Sequence, residues 1–167
     1  MSGYSRSELD DAQHRWGFRF PPDLVTIYLQ RRQVVPGAHD CITTPQQEIR
    51  DLIDFPIRAF LDDVKRREWW PEWGERPRSD DDAVEFVRRL IASAPKLIPI
   101  CNHRCIPDAP FESGNPVFSV WRSDIIIYGA NLPDYIAREL HWKQGDWPKV
   151  KRIPFWSRAV DINNGEL

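Results

Sequence analysis

The sequence predicts a single α+β domain, on three observations. Helical patterns with capping residues at their starts lie on both sides of a pair of short apolar runs of strand length. No internal repeat or low-complexity tract interrupts that order. The 167 residues suffice to bury roughly 70 % of the surface an unfolded chain exposes, enough for one independent core. With 41 % hydrophobic residues, eight Trp and eight Phe, the chain is too rich in core-forming side chains to stay disordered.

Each element has its own reason. Ser7 followed by Glu8, Asp10 and Asp11 reads as a capped helix start, because a hydroxyl and early acids satisfy free N–H groups and suit the positive dipole end. That helix runs to about Trp16 and stops at Gly17. Phe20-Pro21-Pro22-Asp23 opens a second helix, with Leu24, Val25, Ile27, Tyr28 and Leu29 as its apolar set and an end near Arg32. Residues 34–41 contain a Pro36-Gly37 turn and read as a loop or short hairpin. Thr44-Pro45 caps a third helical pattern through about Asp54, and Pro56 argues against its continuing to Trp70. The stretch DVKRREWWPEWGERP, residues 63–77, has no clean period and is broken by Pro71, Gly74 and Pro77, which predicts a strand or loop with aromatic anchors.

Ser79 caps a fourth helix, with Asp80, Asp81 and Asp82 in its first turn and Val84, Val87, Leu90, Ile91 and Ala94 at helical spacing. Pro95 closes it, and LIPICNHRCIP then alternates as a strand or a bent pair of strands. Residues 117–121 and 125–128 are strand runs around a turn at Arg122-Ser123. Both are apolar on both faces, which predicts central strands in a sheet covered on each side. Gly129 permits the turn out, and Asn131 with Asp134 caps a helix through Leu140 whose buried stripe is Leu132, Tyr135, Ile136 and Leu140. Beyond it, HWKQGDWPKVKRIPFW is basic and aromatic. Pro148 and Pro154 prevent a long helix there and predict an irregular arm or edge strand.

Charge and cysteine usage narrow the function classes. A formal net charge of -2 lacks the signature of a general phosphate-backbone binder. Lys143, Lys149, Lys151, Arg152 and Arg158, interleaved with Trp142, Trp147, Phe155 and Trp156, are the best alternative for single-stranded nucleic acid. The acidity of the whole chain favours tryptophans that dock the tail on the core instead. The start MSGYSRSELDD has no apolar run, and no window approaches a membrane span, so the expectation is a cytoplasmic protein. Cys41, Cys101 and Cys105 are an odd set, read as reduced thiols.

Three chemical readings compete with a structural one. In Cys101-Asn-His103-Arg-Cys105, alternate residues of a strand share a face, so two thiols and an imidazole would point at one metal, with His141, His14 or Cys41 as a fourth ligand. The chain lacks the C-x2-C pairs of structural zinc sites, and buried cysteines are common core residues. Cys105 or Ser119 served by His103, with Asp124 orienting it, would make a nucleophile, but no glycine elbow or cysteine signature surrounds them. The acids Asp62-Asp63 and Asp80-Asp81-Asp82 diverge on any regular element, and the triplet already has a helix-start explanation. No phosphate-binding glycine loop occurs.

Four blocks together carry a family likeness: FPPDL at 20–24, WWPEWGERP at 69–77, APKLIPICNHRCIP at 94–107 and GNPVFSVWRSDIIIYGANLPDYI at 114–136. In this order the chain resembles the SUKH superfamily, which includes fungal cell-wall-assembly regulators and many bacterial immunity proteins. The likeness spans most of residues 8–140, with 141–167 as a basic, aromatic arm outside it. Val35-Pro36-Gly37 stands where many members carry an Asn-Gly or Asp-Gly turn.

The resemblance implies a mixed, mainly antiparallel sheet with helices packed on it. It also implies a non-enzymatic role with no cofactor or catalytic set: an antidote that binds a cognate polymorphic or contact-delivered toxin, such as a nuclease or deaminase, and occludes its active site. On this reading 114–132 is scaffold, and the partner surface is the acids Asp62, Asp63, Asp80, Asp81 and Asp82 or the aromatic strip Trp69, Trp70 and Trp73. A regulatory adaptor without a toxin is the alternative, and a zinc or cysteine enzyme around Cys101, His103 and Cys105 the competitor from another class.

Overall fold

A computed structural model describes residues 3–141, 145 and 147–166. The elements run α1 Arg6–Trp16, α2 Pro22–Gln30, α3 Gln46–Lys65, a 3-10 turn Pro71–Trp73, α4 Asp80–Ala92, β1 Leu97–Cys101, β2 Arg104–Pro107, β3 Val117–Trp121, β4 Asp124–Gly129, α5 Leu132–Glu139 and α6 Trp156–Asn163. The architecture is α+β, as the sequence predicts. The four strands form a meander in the order β1-β2-β3-β4, and every ladder is antiparallel. Among the described residues no helix is long and apolar enough to cross a membrane.

Strand alternation divides the interior into two cores. Ile98, Cys101, Ile106 and Val117 face α1, α2, the 34–41 loop and α5, packing against Phe20, Leu24, Tyr28 and Tyr135. Leu97, Cys105, Phe118, Val120 and Ile125 face the other way, onto Phe60, Val64, Trp70, Val87 and Trp156. Strand β3 is central and buried as expected. Its partner β4 is an edge strand with Asp124 and Ile126 exposed, so the expectation of two covered central strands holds only for β3.

The helix starts show where local rules decide. Helix α1 is capped by Ser5 and not Ser7: Glu8 N–H reaches Ser5 Oγ at 3.3 Å while Ser5 N–H donates to Glu8 Oε2 at 2.7 Å, a reciprocal pair that needs the three-residue spacing. Ser79 caps α4 and Asn131 caps α5 as read from the sequence. Helix α2 ends at Gln30, two residues before the expected end near Arg32.

Two elements correct the sequence reading. Helix α3 is continuous for 20 residues through Pro56, and no side chain caps it at Thr44-Pro45. The proline forfeits one intrahelical hydrogen bond, at a local cost of about 3 kcal/mol. Phe60, Leu61 and Val64 reach the second core only if the helix continues past Pro56, and their burial outweighs that cost. The second correction is α6, where an irregular arm or edge strand was expected. Trp156, Ala159 and Val160 are buried against the second core, so this end of the chain is part of the fold.

Gly129 is fixed by contact. A Cβ at this position would lie 2.6 Å from Tyr135 Cβ and 2.8 Å from the Tyr135 nitrogen, so β4 and α5 meet only if residue 129 has no side chain. Gly129→Ala should cost about 2 kcal/mol by overpacking, measurable as a lower urea midpoint with unchanged slope.

Candidate functional site

Structure separates the nominated acids by what they touch. Asp63 is buried at the end of α3, where it accepts hydrogen bonds from Arg122 Nε at 2.9 Å, from Arg122 Nη2, and from the Ser123 N–H and hydroxyl, each at 2.9 Å. Burial alone would push its carboxyl up, but these four bonds outweigh that and hold it below the ordinary carboxylate value. Asp63 therefore pins the β3–β4 turn to α3 and offers no accessible charge to a partner, which corrects its place on the expected acidic surface.

Asp62, Asp80, Asp81 and Asp82 are exposed. Asp80 is 2.7 Å from Arg76 and 3.9 Å from Arg67, and the Arg76 hydrogen bond draws its carboxyl below the usual range; Asp81 is 3.9 Å from Lys65. Asp82 N–H bonds the Ser79 cap. The start of α4 is thus a charge-paired surface, not a bare acidic face.

The three tryptophans do come together. Trp70 is buried and stacks on Trp73 with ring centres 4.4 Å apart, while Trp69 meets Trp73 edge-on at 5.1 Å and Phe86 at 5.5 Å. Beneath them Phe60 and Phe155 receive Trp70 at 5.8 and 5.1 Å. Trp70 therefore belongs to the core. Trp69 and Trp73 are half-buried, and Phe86, 39 % exposed, carries the cluster to the surface. Two ion pairs, Arg158–Glu72 and Arg76–Asp80, stand at its edge. Sequence reading missed Phe86 because it falls outside the buried stripe of α4.

Cys101 and Cys105 point to opposite faces of the sheet, one in each core, so they cannot ligate one ion together with His103. Burial pushes the Cys105 thiol up to about 12, and it raises Cys41 and Cys101 as well. His103 is lowered by burial and then by the charge of Arg104. Ser119 is buried in β3, with Arg104 opposite it. All three thiols should resist a disulfide reagent in the native protein at about pH 8 and react together on unfolding; fast labelling of folded protein would mean one is an exposed thiolate.

Around His103 the structure assembles residues that no motif announced. Arg104 Cζ lies 4.2 Å over the Tyr128 ring and its Nη1 3.2 Å from His103 Nε2, while His103 meets Trp121 at 5.8 Å. Arg104 Nε and Glu139 Oε2 are buried and meet no hydrogen-bond partner among the described residues. The available signals were an arginine inside an apolar strand run and Glu139 four residues after Tyr135 on one helix face.

Lys149 is exposed, while Lys151, Arg152 and Arg158 pair within the chain. Lys151 bonds Glu112 at 2.7 Å and the Ser113 carbonyl at 3.0 Å, Arg152 pairs with Asp161, Arg158 with Glu72, and Trp156 is buried. Trp147 is exposed, with Arg138 Cζ 3.8 Å over its ring. Trp142 and Lys143 lie outside the described residues.

A groove of about 750 Å³ runs beside α3 and α4, with Asp62 on its wall. Comparisons with family models, with curated proteins and with solved structures found no match for this chain.

Proposed function

We propose that this chain is a non-enzymatic protein-binding domain of the SUKH kind, an immunity protein that acts in the cytoplasm by covering the active site of a cognate toxin, a nuclease or deaminase. The observation that supports this reading is the aromatic patch of Phe86, Trp69 and Trp73, set on helix and 3-10 turn and edged by Glu72–Arg158 and Arg76–Asp80. Aromatic anchors on rigid elements, surrounded by charged residues, are the composition in which binding energy concentrates at protein interfaces. Asp82, exposed and four residues before Phe86 on α4, adds an acidic group of the kind that would speed encounter with a basic nuclease.

The test is to co-purify the tagged protein with neighbouring gene products from its host and to assay rescue from the toxicity of what it retains. One toxin-domain protein in stoichiometric amount, with rescue, is the expected result. Phe86→Ala should then weaken binding at least about tenfold while leaving the thermal midpoint within a few degrees, because Phe86 is a surface residue. A stoichiometric partner without toxicity would replace this reading with the adaptor; recovery of no partner would defeat both.

A further inference from the structure

We infer that the groove beside α3 and α4 receives an amphipathic helix of a partner protein, about three turns long and carrying acidic residues along its flanks. This rests on the binding reading above and deepens it by naming the form and charge of what is bound.

The shape comes from two antiparallel helices. Lys65 at the end of α3 pairs with Asp81 at the start of α4, so the helices run in opposite directions along the groove. On α3 the lining residues Ile53, Ile57, Leu61 and Lys65 form one row at i, i+4 spacing and Asp54, Arg58 and Asp62 the row beside it, with Pro56 flanking them, so together they make one stripe of the helix. From Asp54 to Lys65 that stripe extends about 17 Å, the length of a three-turn helix.

The floor is hydrocarbon. Half-buried Ile57 and the Trp16 ring line it, over the buried side chains of Leu61, Val84, Ile91 and Trp156. Both indole N–H groups are already used, by the Cys41 carbonyl at 2.9 Å and the Pro95 carbonyl at 2.7 Å, so Trp16 presents only carbon to a ligand and Trp156 lies beneath. That suits the apolar face of a helix and not a polar strand.

The charges select the sign. Arg58, Lys65, Arg88 and Lys96 line the groove against Asp54 and Asp62, four cations to two carboxylates, on a chain whose net charge is -2. Arg58 is exposed and makes no ion pair among the described residues. The pairs of Lys65 with Asp81 at 3.9 Å and Arg88 with Glu85 at 3.6 Å are long and exposed, so they hold those cations weakly.

Position then separates a helix from a single-headed amphiphile. Lys65 stands at one end, Arg58 and Arg88 lie between, and Lys96 stands at the other end, donating to the Gly17 carbonyl. One headgroup engages one of these places. Acids repeated along a helix engage them all, and Asp54 and Asp62 on either side of Arg58 fix its register.

The test uses the full chain and two synthetic amphipathic helices with the same leucine face, one flanked by glutamates and one by lysines. Calorimetric titration and the NMR signals of the Trp16 and Trp156 indoles are the readouts. The acidic peptide should bind saturably, at least tenfold tighter than the basic one, and move both indole signals; R58E/R88E should reverse the order. Equal binding of the two peptides, no saturable binding, or an acidic preference unchanged in R58E/R88E would overturn the inference. Both arginines are exposed, so the variant's melting temperature serves as the folding control. If R58E/R88E still retains and neutralises the toxin, the groove is not the partner's seat and the immunity reading stands. Selective peptide binding without any toxin recovered supports the groove and removes the immunity reading alone.

Discussion

Trp156→Ala should destabilise the protein by about 4 kcal/mol, within the range for emptying a large aromatic site from a core. Trp156 is 1 % exposed and among the largest fully buried side chains. Its ring packs edge-on to Phe155 at 5.0 Å and its N–H donates to the Pro95 carbonyl at 2.7 Å, which ties α6 to the segment between α4 and β1. Truncation empties the space under β4 and leaves that carbonyl unpaired, and both losses fall on the second core. Urea unfolding at neutral pH is the measurement, and the thermal midpoint should fall by roughly 12 °C for a chain of this size. Trp156→Phe keeps most of the packing and loses the hydrogen bond, so it should cost about half as much. A loss below about 1 kcal/mol in Trp156→Ala would mean that α6 is detachable and that the fold ends with α5.

What the sequence disclosed, and what it concealed, follows the range of the interactions. Ser79 and Asn131 could be named as caps because each bonds a backbone N–H three residues away, at Asp82 and Asp134. The turn at Arg122-Ser123 was equally local, and the β3–β4 hairpin lies where alternation placed it; for 97–107 the sequence left one strand or a bent pair open, and the structure takes the pair. Helix α3 misled because the local effect of Pro56 is real, while the burial that overrides it comes from residues on other elements. Helix α6 was hidden for the same reason: Pro148 and Pro154 dominate its sequence neighbourhood, but its stability comes from Trp156 meeting Pro95, 61 positions earlier.

The surface followed the same division. Trp69, Trp70 and Trp73 were legible as a cluster because five residues contain all three, yet only contacts with Phe60, Phe86 and Phe155 decide that Trp70 is interior and that Phe86 is the exposed member. Cys101 and Cys105 looked like a shared face because a continuous strand would align them. The turn at Asn102-His103 and the irregularity between Pro99 and Cys101 put them on opposite faces. Asp63 and Asp62 are indistinguishable by composition; a partner 59 residues away separates them.

That partner makes Asp63 the second position where a single change should be severe. Asp63→Ala is expected to cost about 3 kcal/mol, because it leaves the Arg122 guanidinium and the Ser123 N–H without their acceptor where β3 turns into β4. Arg122 has φ +61°, a backbone conformation a non-glycine residue holds only when its surroundings require it, and the bonds to Asp63 are what secure that turn. Arg122→Ala should cost less, since Arg122 is more exposed, and the double-mutant cycle should return a coupling of about 2 kcal/mol. The pH dependence follows from the direction of the shift. The folded carboxyl lies below its unfolded value of about 4, so its contribution is complete above that pH and is lost as pH falls through the lower, folded value. The stability gap between wild type and Asp63→Asn should therefore stay constant from neutral pH to about pH 5 and narrow below about pH 4. A gap that does not narrow in acid would show that Asp63 acts through shape and neutral hydrogen bonds; a gap that closes makes its ionised carboxylate the clasp between α3 and the hairpin.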